Sequence, residues 1–560
     1  MPFESLSSAR VRWLAYLEGR SPLPSDVVDE ARVASWSLWQ GVLSGQALSE
    51  NWKQVRSLRL PSCLDAHACL QLAHQGVFEH ITRLENPHVV LTADQLEALV
   101  GLCPRLTCLK LGVGLRQASA NAKIDLAISD LELQGESFGI LFGLSDVALG
   151  GLRRLKWHVP RGRWVIPEAL EGLRALEIRG GGPATVVEGS ASLSGLRSLG
   201  LAGVCWSVSQ SLTGLQALAL SSACISEQEA ARWLSMETLQ GLTLCDPARR
   251  LALLPQLERC LAGLKRFSWG MSGALPGPCW SALEGNAGLE CLDLEQDQGC
   301  GPVGALLANK SGLKRLSLEG FECDEVQQWP VFAKLQALRL VGGGWDGKTC
   351  DVLIGSHSSP ALSCIELQPT RERRVEVCAV LPACVSFEVR GRWHFVEGST
   401  WGQGVTRFAA PIDALKEVSP AVQRALPLSL TLTGHTTEVR PSLFHHQRLF
   451  ALDLSHASWE PMGTTAKLPT SLWELTADWK WVLQSEGLQQ ALVHLGRLHL
   501  IGGVDEDDDY GLVGELLGGV VWPMHMEHLS CDVEFLGTDE EEIVESILSS
   551  FKESRWCFDV

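Results

Sequence analysis

A six-residue phrase, Leu-x-x-Leu-x-Leu, recurs along the chain and constrains its fold more than any other feature. In LQALAL, residues 215–220, Leu218 and Leu220 alternate, so both point to one face of a short strand, while Leu215 enters from the preceding loop. Such a strand cannot bury its leucines alone, and it needs parallel neighbours about 4.8 Å away to share a core. The phrase therefore predicts a stack of parallel strands, one to each copy.

The copies of the phrase are numerous and almost regularly spaced. Fifteen clean copies begin at residues 55, 106, 128, 152, 173, 196, 215, 239, 264, 289, 313, 335, 362, 449 and 495. Six degraded copies fill the gaps and begin near Ile81, Cys384, Val405, Pro427, Leu472 and Met526. The spacing runs from 19 to 31 residues and averages between 23 and 24, which is typical of solenoid proteins.

This pattern resembles the leucine-rich repeat superfamily, whose repeat is Leu-x-x-Leu-x-Leu-x-x-Asn/Cys-x-Leu every 20 to 29 residues. The resemblance implies an α/β solenoid, curved like a horseshoe, with one short parallel strand per repeat of about 23 residues. It also implies a concave strand face that binds other proteins. Among the clean copies only the first has Asn or Cys at the ninth position, as Cys63. The sequence therefore predicts irregular turns without the asparagine ladder, and it assigns no subfamily.

The two ends of the chain differ from its middle. Both have apolar residues at helical spacing, and Ser25 and Thr538 stand where a helix N-cap is expected. A solenoid exposes leucines at both ends unless helices cover them. The sequence therefore predicts an N-terminal helical cap over 1–52, a solenoid of about 21 repeats over 53–537, and a C-terminal capping helix over 538–560.

Glycines stand directly before many copies of the phrase. They occur at Gly172, Gly195, Gly214, Gly263 and Gly312. Glycine adopts left-handed backbone angles that other residues avoid. The sequence therefore indicates a turn with unusual backbone angles ahead of these strands.

The composition indicates a globular protein and excludes several classes. Of the 560 residues, 46% are hydrophobic and 20% charged, and the formal net charge of -18 argues against nucleic acid, whose phosphates need a basic surface. No apolar run approaches 18 residues, and the first 13 residues lack a basic start followed by an apolar core. The sequence thus predicts neither a membrane span nor a secretory signal. The 18 scattered cysteines fit reduced thiols in the cytoplasm.

The negative charge is concentrated near the C-terminal end. Residues 505–545 contain 14 Asp or Glu and no Lys or Arg. The densest patch is Asp505, Glu506, Asp507, Asp508 and Asp509. An acidic surface attracts a basic partner and speeds their association. The sequence predicts such a partner, with binding that weakens as salt is added.

The residue pattern favours no catalytic, cofactor-binding or metal site. The glycine clusters at 179–183 and 341–345 lack the Lys-Ser/Thr of a phosphate loop, and His445-His446 lacks the spacing of a zinc motif. The acidic run at 505–510 has no Gly at the sixth position of a calcium loop. Five tryptophans occupy positions where the repeat buries an apolar side chain, so they are predicted to be core: Trp157, Trp206, Trp269, Trp345 and Trp459.

The outward-facing residues of the first strands alternate in charge. The fifth position of the phrase reads Arg59, Glu85, Lys110, Glu132, Lys156 and Glu177. Opposite charges on adjacent strands stabilise a sheet by about 0.2 to 1 kcal/mol for each pair. The column is interpreted either as a charge ladder that fixes strand register and keeps the face soluble, or as a stripe that binds a ligand.

The next strands carry small residues at the same outward positions. The predicted hollow comprises Ser198, Gly200, Ala217, Ala219, Gly241, Thr243 and Ser268. Charged residues flank it: Arg154 and Lys156 on one side, and Arg266, Asp293, Arg315 and Arg339 on the other. A hollow with charged edges can seat a protruding segment of another protein. Simple tolerance of small residues is the alternative interpretation.

These features favour a non-catalytic cytoplasmic protein that recognises or scaffolds a protein partner, as an inhibitor, an antitoxin or a sensor subunit of a complex. An F-box-like adaptor of a ubiquitin ligase is the alternative, because LPSDVV at 23–28 and Trp52 resemble the start and end of an F-box. An enzyme is the third class, with catalytic residues in the irregular copies between 371 and 437. No cofactor, nucleic acid or membrane is predicted as a partner.

Overall fold

The structure is a computed structural model that describes most of the chain between residues 56 and 342. Gaps in the description fall at 60–65, 87–90, 112–125, 135–140, 183, 190–192, 209–211, 246–253, 272–274, 297–302 and 322–329. Beyond residue 342 it describes the strands given below and a few residues near them. The predicted helical caps lie outside the described residues, so the caps and the domain boundaries stay predictions. The chain divides into two compact units, which hold β1–β15 and β16–β28 as named below.

The first unit contains fifteen described strands and seven described helices. The strands are β1 (Ser57–Arg59), β2 (Arg83–Asn86), β3 (Cys108–Leu111), β4 (Asp130–Leu133), β5 (Arg154–Val159), β6 (Gly162–Val165), β7 (Ala175–Gly180), β8 (Thr185–Gly189), β9 (Ser198–Ala202), β10 (Cys205–Val208), β11 (Ala217–Ser221), β12 (Gly241–Cys245), β13 (Arg266–Met271), β14 (Cys291–Gln296) and β15 (Arg315–Glu319). The helices are α1 (Ala66–His74), α2 (Ala93–Gly101), α3 (Asp146–Gly151), α4 (Glu227–Leu234), α5 (Leu254–Leu261), α6 (Gly277–Gly285) and α7 (Val303–Leu307).

The second unit is described as strands. They are β16 (Ala337–Val341), β17 (Cys364–Gln368), β18 (Val375–Val377), β19 (Val380–Leu381), β20 (Ser386–Val389), β21 (Trp393–Phe395), β22 (Thr400–Trp401), β23 (Arg407–Pro411), β24 (Ser429–Thr436), β25 (Ala451–Trp459), β26 (Glu474–Asp478), β27 (Arg497–Val504) and β28 (His528–Phe535).

Every copy of the leucine phrase, clean or degraded, carries a strand that begins at its third residue. Within each unit, each such strand pairs in parallel with the strand of the next copy, for example β9 with β11 and β11 with β12. The pairing keeps equivalent residues opposite each other, as in Leu199, Leu218 and Leu242. The prediction of one parallel strand per repeat is confirmed. Short extra strands form a separate parallel sheet of β6, β8 and β10 and two further pairs in the second unit.

The fourth and sixth residues of the phrase form the core. In β9 and β11 burial alternates strictly, and Leu218 and Leu220 are 2% and 3% exposed. Burying a leucine side chain stabilises a fold by about 1.5 to 3 kcal/mol. Trp157, Trp206 and Trp269 are buried as predicted. Trp345 and the side chain of Trp459 lie outside the described residues.

Helices connect several of the strands, and polar side chains start them. Thr92 caps α2 in a reciprocal box with Gln95, and Ser145 and Ser226 cap α3 and α4 by accepting a backbone N–H. Neighbouring helices of successive repeats, such as α5 and α6, pack against each other. The helices thereby extend the core that the strands begin.

The turns differ from the sequence prediction. The glycines before the phrase do not have positive φ, so that prediction is wrong. Left-handed residues instead stand directly after the strand, at the eighth position of the phrase. They are Gly203 (φ 61°), Ser222 (φ 47°), Gly320 (φ 79°) and Gly342 (φ 69°). The chain therefore turns directly after the strand. In the superfamily, an asparagine at the ninth position supports the turn at this point.

A hydroxyl ladder links the first repeats at another position. Thr82, Thr107 and Ser129 occupy the second position of three consecutive copies. Each Oγ donates to the carbonyl at the equivalent position one repeat earlier, over 3.1 to 3.2 Å. A hydrogen bond of this kind contributes about 0.5 to 1.5 kcal/mol. Side-chain hydrogen bonds thus link successive repeats, although not at the ninth position, where the superfamily has them.

Candidate functional site

The alternating charges of the first strands lie side by side. The strand register places Lys110 opposite Glu132, Glu132 opposite Lys156, and Lys156 opposite Glu177. The ammonium of Lys110 lies 3.4 Å from a carboxylate oxygen of Glu132, and that of Lys156 lies 3.5 Å from Glu132 and 3.9 Å from Glu177. Arg59 and Glu85 are also opposite each other in the register. We call the column Arg59, Glu85, Lys110, Glu132, Lys156 and Glu177 the charge ladder.

Glu132 is the centre of this ladder. Burial by itself raises the pKa of its carboxyl group, but the ammonium groups of Lys110 and Lys156 outweigh burial, and the pKa is lowered below its ordinary value. The side-chain amide of Gln134 donates a hydrogen bond to the same carboxylate. The charges of Lys110, Glu132, Lys156 and Glu177 in the ladder therefore satisfy one another.

The predicted small residues come together on three adjacent strands. Ser198, Ala217 and Gly241 are opposite one another across β9, β11 and β12, and so are Gly200, Ala219 and Thr243. Ser268 continues the second row on β13. These seven residues form part of the lining of a concave volume of about 1210 Å³, which also extends over Glu132, Lys156 and Glu177 of the charge ladder. We call this volume the hollow.

A third row of the hollow was missed in the sequence. Ala202 and Ser221, the seventh residues of their copies, are opposite each other and also line the hollow. The six-residue phrase stops one alternation short of this position. Extending the outward-facing pattern by two residues would have found both. The floor of the hollow is thus three residues deep along β9 and β11.

Long charged side chains extend from both sides over the floor of the hollow, which is formed by the small residues. A Cβ built on Gly200 would lie 3.2 Å from Cγ of Glu177, and one built on Gly241 would lie 3.5 Å from Nε of Arg266. The distance at Gly200 is tighter than an ordinary Cβ contact, so this glycine leaves room for Glu177, whereas the distance at Gly241 is an ordinary van der Waals contact. Arg154, Lys156, Asp293 and Arg315 also line the hollow, as predicted.

The charges around the hollow are unequal. Its lining contains six cationic side chains and four carboxylates. Three of the carboxylates have cationic neighbours: Arg154 lies 3.4 Å from Asp130, Arg179 lies 2.7 Å from Glu177, and Glu132 belongs to the charge ladder. Asp293 accepts a hydrogen bond of 3.2 Å from Ser268. The exposed Arg266 and Arg315 form no ion pair with any residue that the structure describes.

The thiols of Cys245 and Cys291 beside the hollow are weak nucleophiles. Burial raises the pKa of Cys291 despite the opposing effect of Arg266 and Arg315, and burial followed by the carboxylates of Glu295 and Asp293 raises that of Cys245. Both are protonated at neutral pH, and a thiol is a poor nucleophile compared with its thiolate. Among the described residues no group of three or more His, Cys, Asp or Glu is placed to hold a metal ion.

The remaining predicted site residues lie elsewhere. Arg339 is on β16 of the second unit, where its Nε lies 3.2 Å from a carboxylate oxygen of Glu366, and it does not line the hollow. The acidic patch Asp505, Glu506, Asp507, Asp508 and Asp509 lies outside the described residues, as do 23–28 and Trp52 of the F-box-like segment. Within the described part of the chain, no helix has the length and apolar character that a bilayer span requires.

Comparison with known proteins adds little beyond the fold. No protein-family model matches the chain, and no curated protein matches it. An internalin from Listeria monocytogenes is 12% identical over 67% of this chain and 94% of its own, with a TM-score of 0.28. The mouse RP105/MD-1 complex is 13% identical over 86% of this chain and 80% of the matched chain, with a TM-score of 0.30. Neither superposition is close enough to locate a site.

The fold follows instead from the strands themselves. Every recurring leucine phrase forms one strand, and successive strands of each unit pair in parallel with equivalent residues opposite each other. The second and third leucines of the phrase are buried beneath that sheet. The chain therefore has the fold of a leucine-rich-repeat solenoid, with irregular repeats and no asparagine ladder.

Proposed function

We propose that this chain is a non-catalytic, cytoplasmic recognition protein that binds a protein partner in the hollow. The single observation that carries the proposal is the floor of small side chains on β9, β11 and β12, bordered by long charged ones. Core packing explains the buried leucines of these strands but not the run of Ser, Gly, Ala and Thr on the outward side. A protruding segment of a partner can approach the backbone closely there.

The size of the hollow favours a protein over a small molecule. Small-molecule sites occupy about 300 to 1,000 Å³ and are mostly apolar, whereas this volume is about 1210 Å³ and has ten charged side chains in its lining. Stable protein interfaces combine a packed centre with a polar, charged rim. A solenoid also presents its surface already ordered, which lowers the entropic cost of binding.

Three finer roles fit this surface: an inhibitor, an antitoxin and a sensor subunit. The acidic C-terminal patch predicted from the sequence adds attraction for a basic region of a partner. In each role the partner is a macromolecule that the chain holds rather than transforms.

Site-specific photocrosslinking tests the proposal. Ala219, at the centre of the floor, is replaced by p-benzoylphenylalanine in one sample, and exposed Arg259 of α5 is replaced in a matched sample. We expect ultraviolet light to attach a defined protein to position 219 in the native cell, and not to position 259. The crosslinked protein must also co-purify with the wild-type chain and be lost from the Ala219→Trp variant, whose indole stands at the centre of the floor of small residues. Co-purification unaffected by Ala219→Trp contradicts the proposal.

A further inference from the structure

We infer that the segment which the hollow receives is acidic and that Arg266 and Arg315 hold its carboxylates. The inference rests on the proposed function and names the chemistry of the partner. It differs from the expectation of a basic partner, which concerns the acidic patch at 505–509. The two surfaces would contact different regions of the same partner or different partners.

The two arginines are placed as a pair. In the strand register Arg266 is opposite Cys291, and Cys291 is opposite Arg315, so two strand spacings, about 10 Å, separate the arginines. Cys291 between them is shorter than either and leaves the space between the guanidinium groups open. Both arginines are exposed and line the hollow. Arg266 reaches over Gly241 toward the floor.

Three of the four carboxylates of the lining are already matched. Asp130, Glu132 and Glu177 each have a cationic neighbour within 4 Å. A basic segment would therefore have to displace an existing ion pair to reach any of these three. The fourth, Asp293, accepts a hydrogen bond from Ser268 and lies on β14 between the strands of the two arginines, so it offsets part of their charge. The arginine pair keeps a net positive charge, and carboxylates are the protein groups that guanidinium binds most strongly.

The floor limits the shape of the acidic segment. Three strands of small residues span about 15 Å at the spacing of a sheet, which is the length of four or five extended residues. A segment with two Asp or Glu residues two to four positions apart places its carboxylates about 7 to 14 Å apart. When the two carboxylates bind Arg266 and Arg315, the residues between them lie over Cys291 of β14. Small residues beyond the Arg266 end of the pair then fit over Ala217 and Ala219. We therefore specify an extended loop in which a pair of acidic residues adjoins a run of small residues.

A peptide selection tests this chemistry without a known partner. A displayed library of random, disulfide-closed 12-residue peptides is selected on the full chain. We expect enrichment of peptides with two or more Asp or Glu residues in that spacing. Binding should weaken about tenfold for each arginine reversed, since a hydrogen bond to a charged group contributes about that factor, and it should weaken further as salt is added.

Matched variants give the control. Arg266→Glu with Arg315→Glu should abolish binding of the acidic peptides. Arg232→Glu with Arg259→Glu carries the same change of charge on α4 and α5, where both arginines are exposed and neither lines the hollow. This control should leave binding within about threefold of wild type. Equal losses in the two double variants would show a general charge effect and overturn the inference.

The variant Ala219→Trp, which places an indole in the hollow, distinguishes a failure of the inference from a failure of the proposed function. If it abolishes peptide binding but the selected peptides are neutral or basic, the hollow is a binding site and the inference is wrong. If no selected peptide is sensitive to Ala219→Trp, both the proposed function and the inference fail. Acidic peptides that are lost with Ala219→Trp and with the arginine reversals support both. Circular dichroism and thermal unfolding of each variant confirm that the fold is retained.

Discussion

The charge ladder and the floor of small residues in the hollow lie on the same sheet and differ in the side chains that point outward. Beneath both, the fourth and sixth residues of each phrase are buried leucines or other apolar residues, as at Leu131 and Leu218, each 2% exposed. Above the ladder, long side chains of opposite sign lie within 3.4 to 3.9 Å of each other. Above the hollow, Ala, Gly, Ser and Thr leave the backbone accessible.

On the function proposed above, this difference separates a surface that stabilises the fold from one that binds a partner. From Lys110 to Glu177 the side chains of the ladder pair with one another, so a partner would have to break those pairs. The floor of the hollow carries small, uncharged side chains, and Arg266 and Arg315 at its edge form no ion pair with the described residues. One repeat architecture can carry both surfaces because the outward positions are free of the packing that constrains the leucines.

The largest effect should come from the shared core and should be equal in the two regions. Leu131→Ala under the ladder and Leu218→Ala under the hollow should each lower the free energy of unfolding by about 2 to 5 kcal/mol, through lost burial and a cavity. Chemical denaturation followed by tryptophan fluorescence measures both. Ala219→Ser, a surface change on the same strand, is the control and should stay within about 0.5 kcal/mol. A Leu218→Ala cost below 1 kcal/mol would mean that the hollow strands lack a packed core.

A charge reversal should distinguish the ladder from the hollow. Lys156→Glu replaces two attractions, to Glu132 and Glu177, by two repulsions, so it should lower stability by about 1 to 3 kcal/mol. Ala219→Glu, a new carboxylate in the hollow, should cost less than about 0.5 kcal/mol. High salt should reduce the first effect because it screens exposed charges. Equal losses of stability in the two variants would contradict a stabilising contribution from the pairing of Lys156 with Glu132 and Glu177.

The smallest effect should be a dependence on acid pH that belongs to the ladder. The folded pKa of Glu132 is lowered, so its contribution to stability is complete above the ordinary glutamate value of 4.5 and is lost as pH falls through the lowered folded value. Glu132→Gln should remove that part of the acid destabilisation, about 0.2 to 1 kcal/mol. Denaturant midpoints of both proteins between pH 5 and about 2.5 measure it. Parallel curves for the two proteins would show that Glu132 contributes nothing.

The fold was predictable because one signal dominates it. Each copy of the phrase begins a strand at its third residue, since the alternation of its leucines allows only one face to be buried. The turns were predicted less well. The glycines before the strands are not left-handed, whereas Gly203 and Ser222 after the strands are. The direction in which the chain leaves a strand depends on the neighbouring repeat, which no local pattern contains.

The site was predictable in outline. Columns of outward residues follow from strand register, so the small residues from Ser198 to Ser268 could be grouped from the sequence. Arg339 was grouped with them by counting repeats, but its guanidinium lies beside Glu366 in the second unit. The hydroxyl ladder of Thr82, Thr107 and Ser129 was not predicted, although a hydroxyl in the second position of three consecutive copies was a visible signal.

By itself the sequence determined which residues are buried, where each strand begins and which side chains share a column. These properties follow from the alternation of apolar residues that the clean copies share. Only the tertiary structure decided that Glu177 and Arg266 lie close to Gly200 and Gly241, and that Arg266 and Arg315 form no ion pair with the described residues. The physical reason is that a long charged side chain has several possible partners on adjacent strands. Which partner it contacts depends on distances in space rather than on positions in the chain.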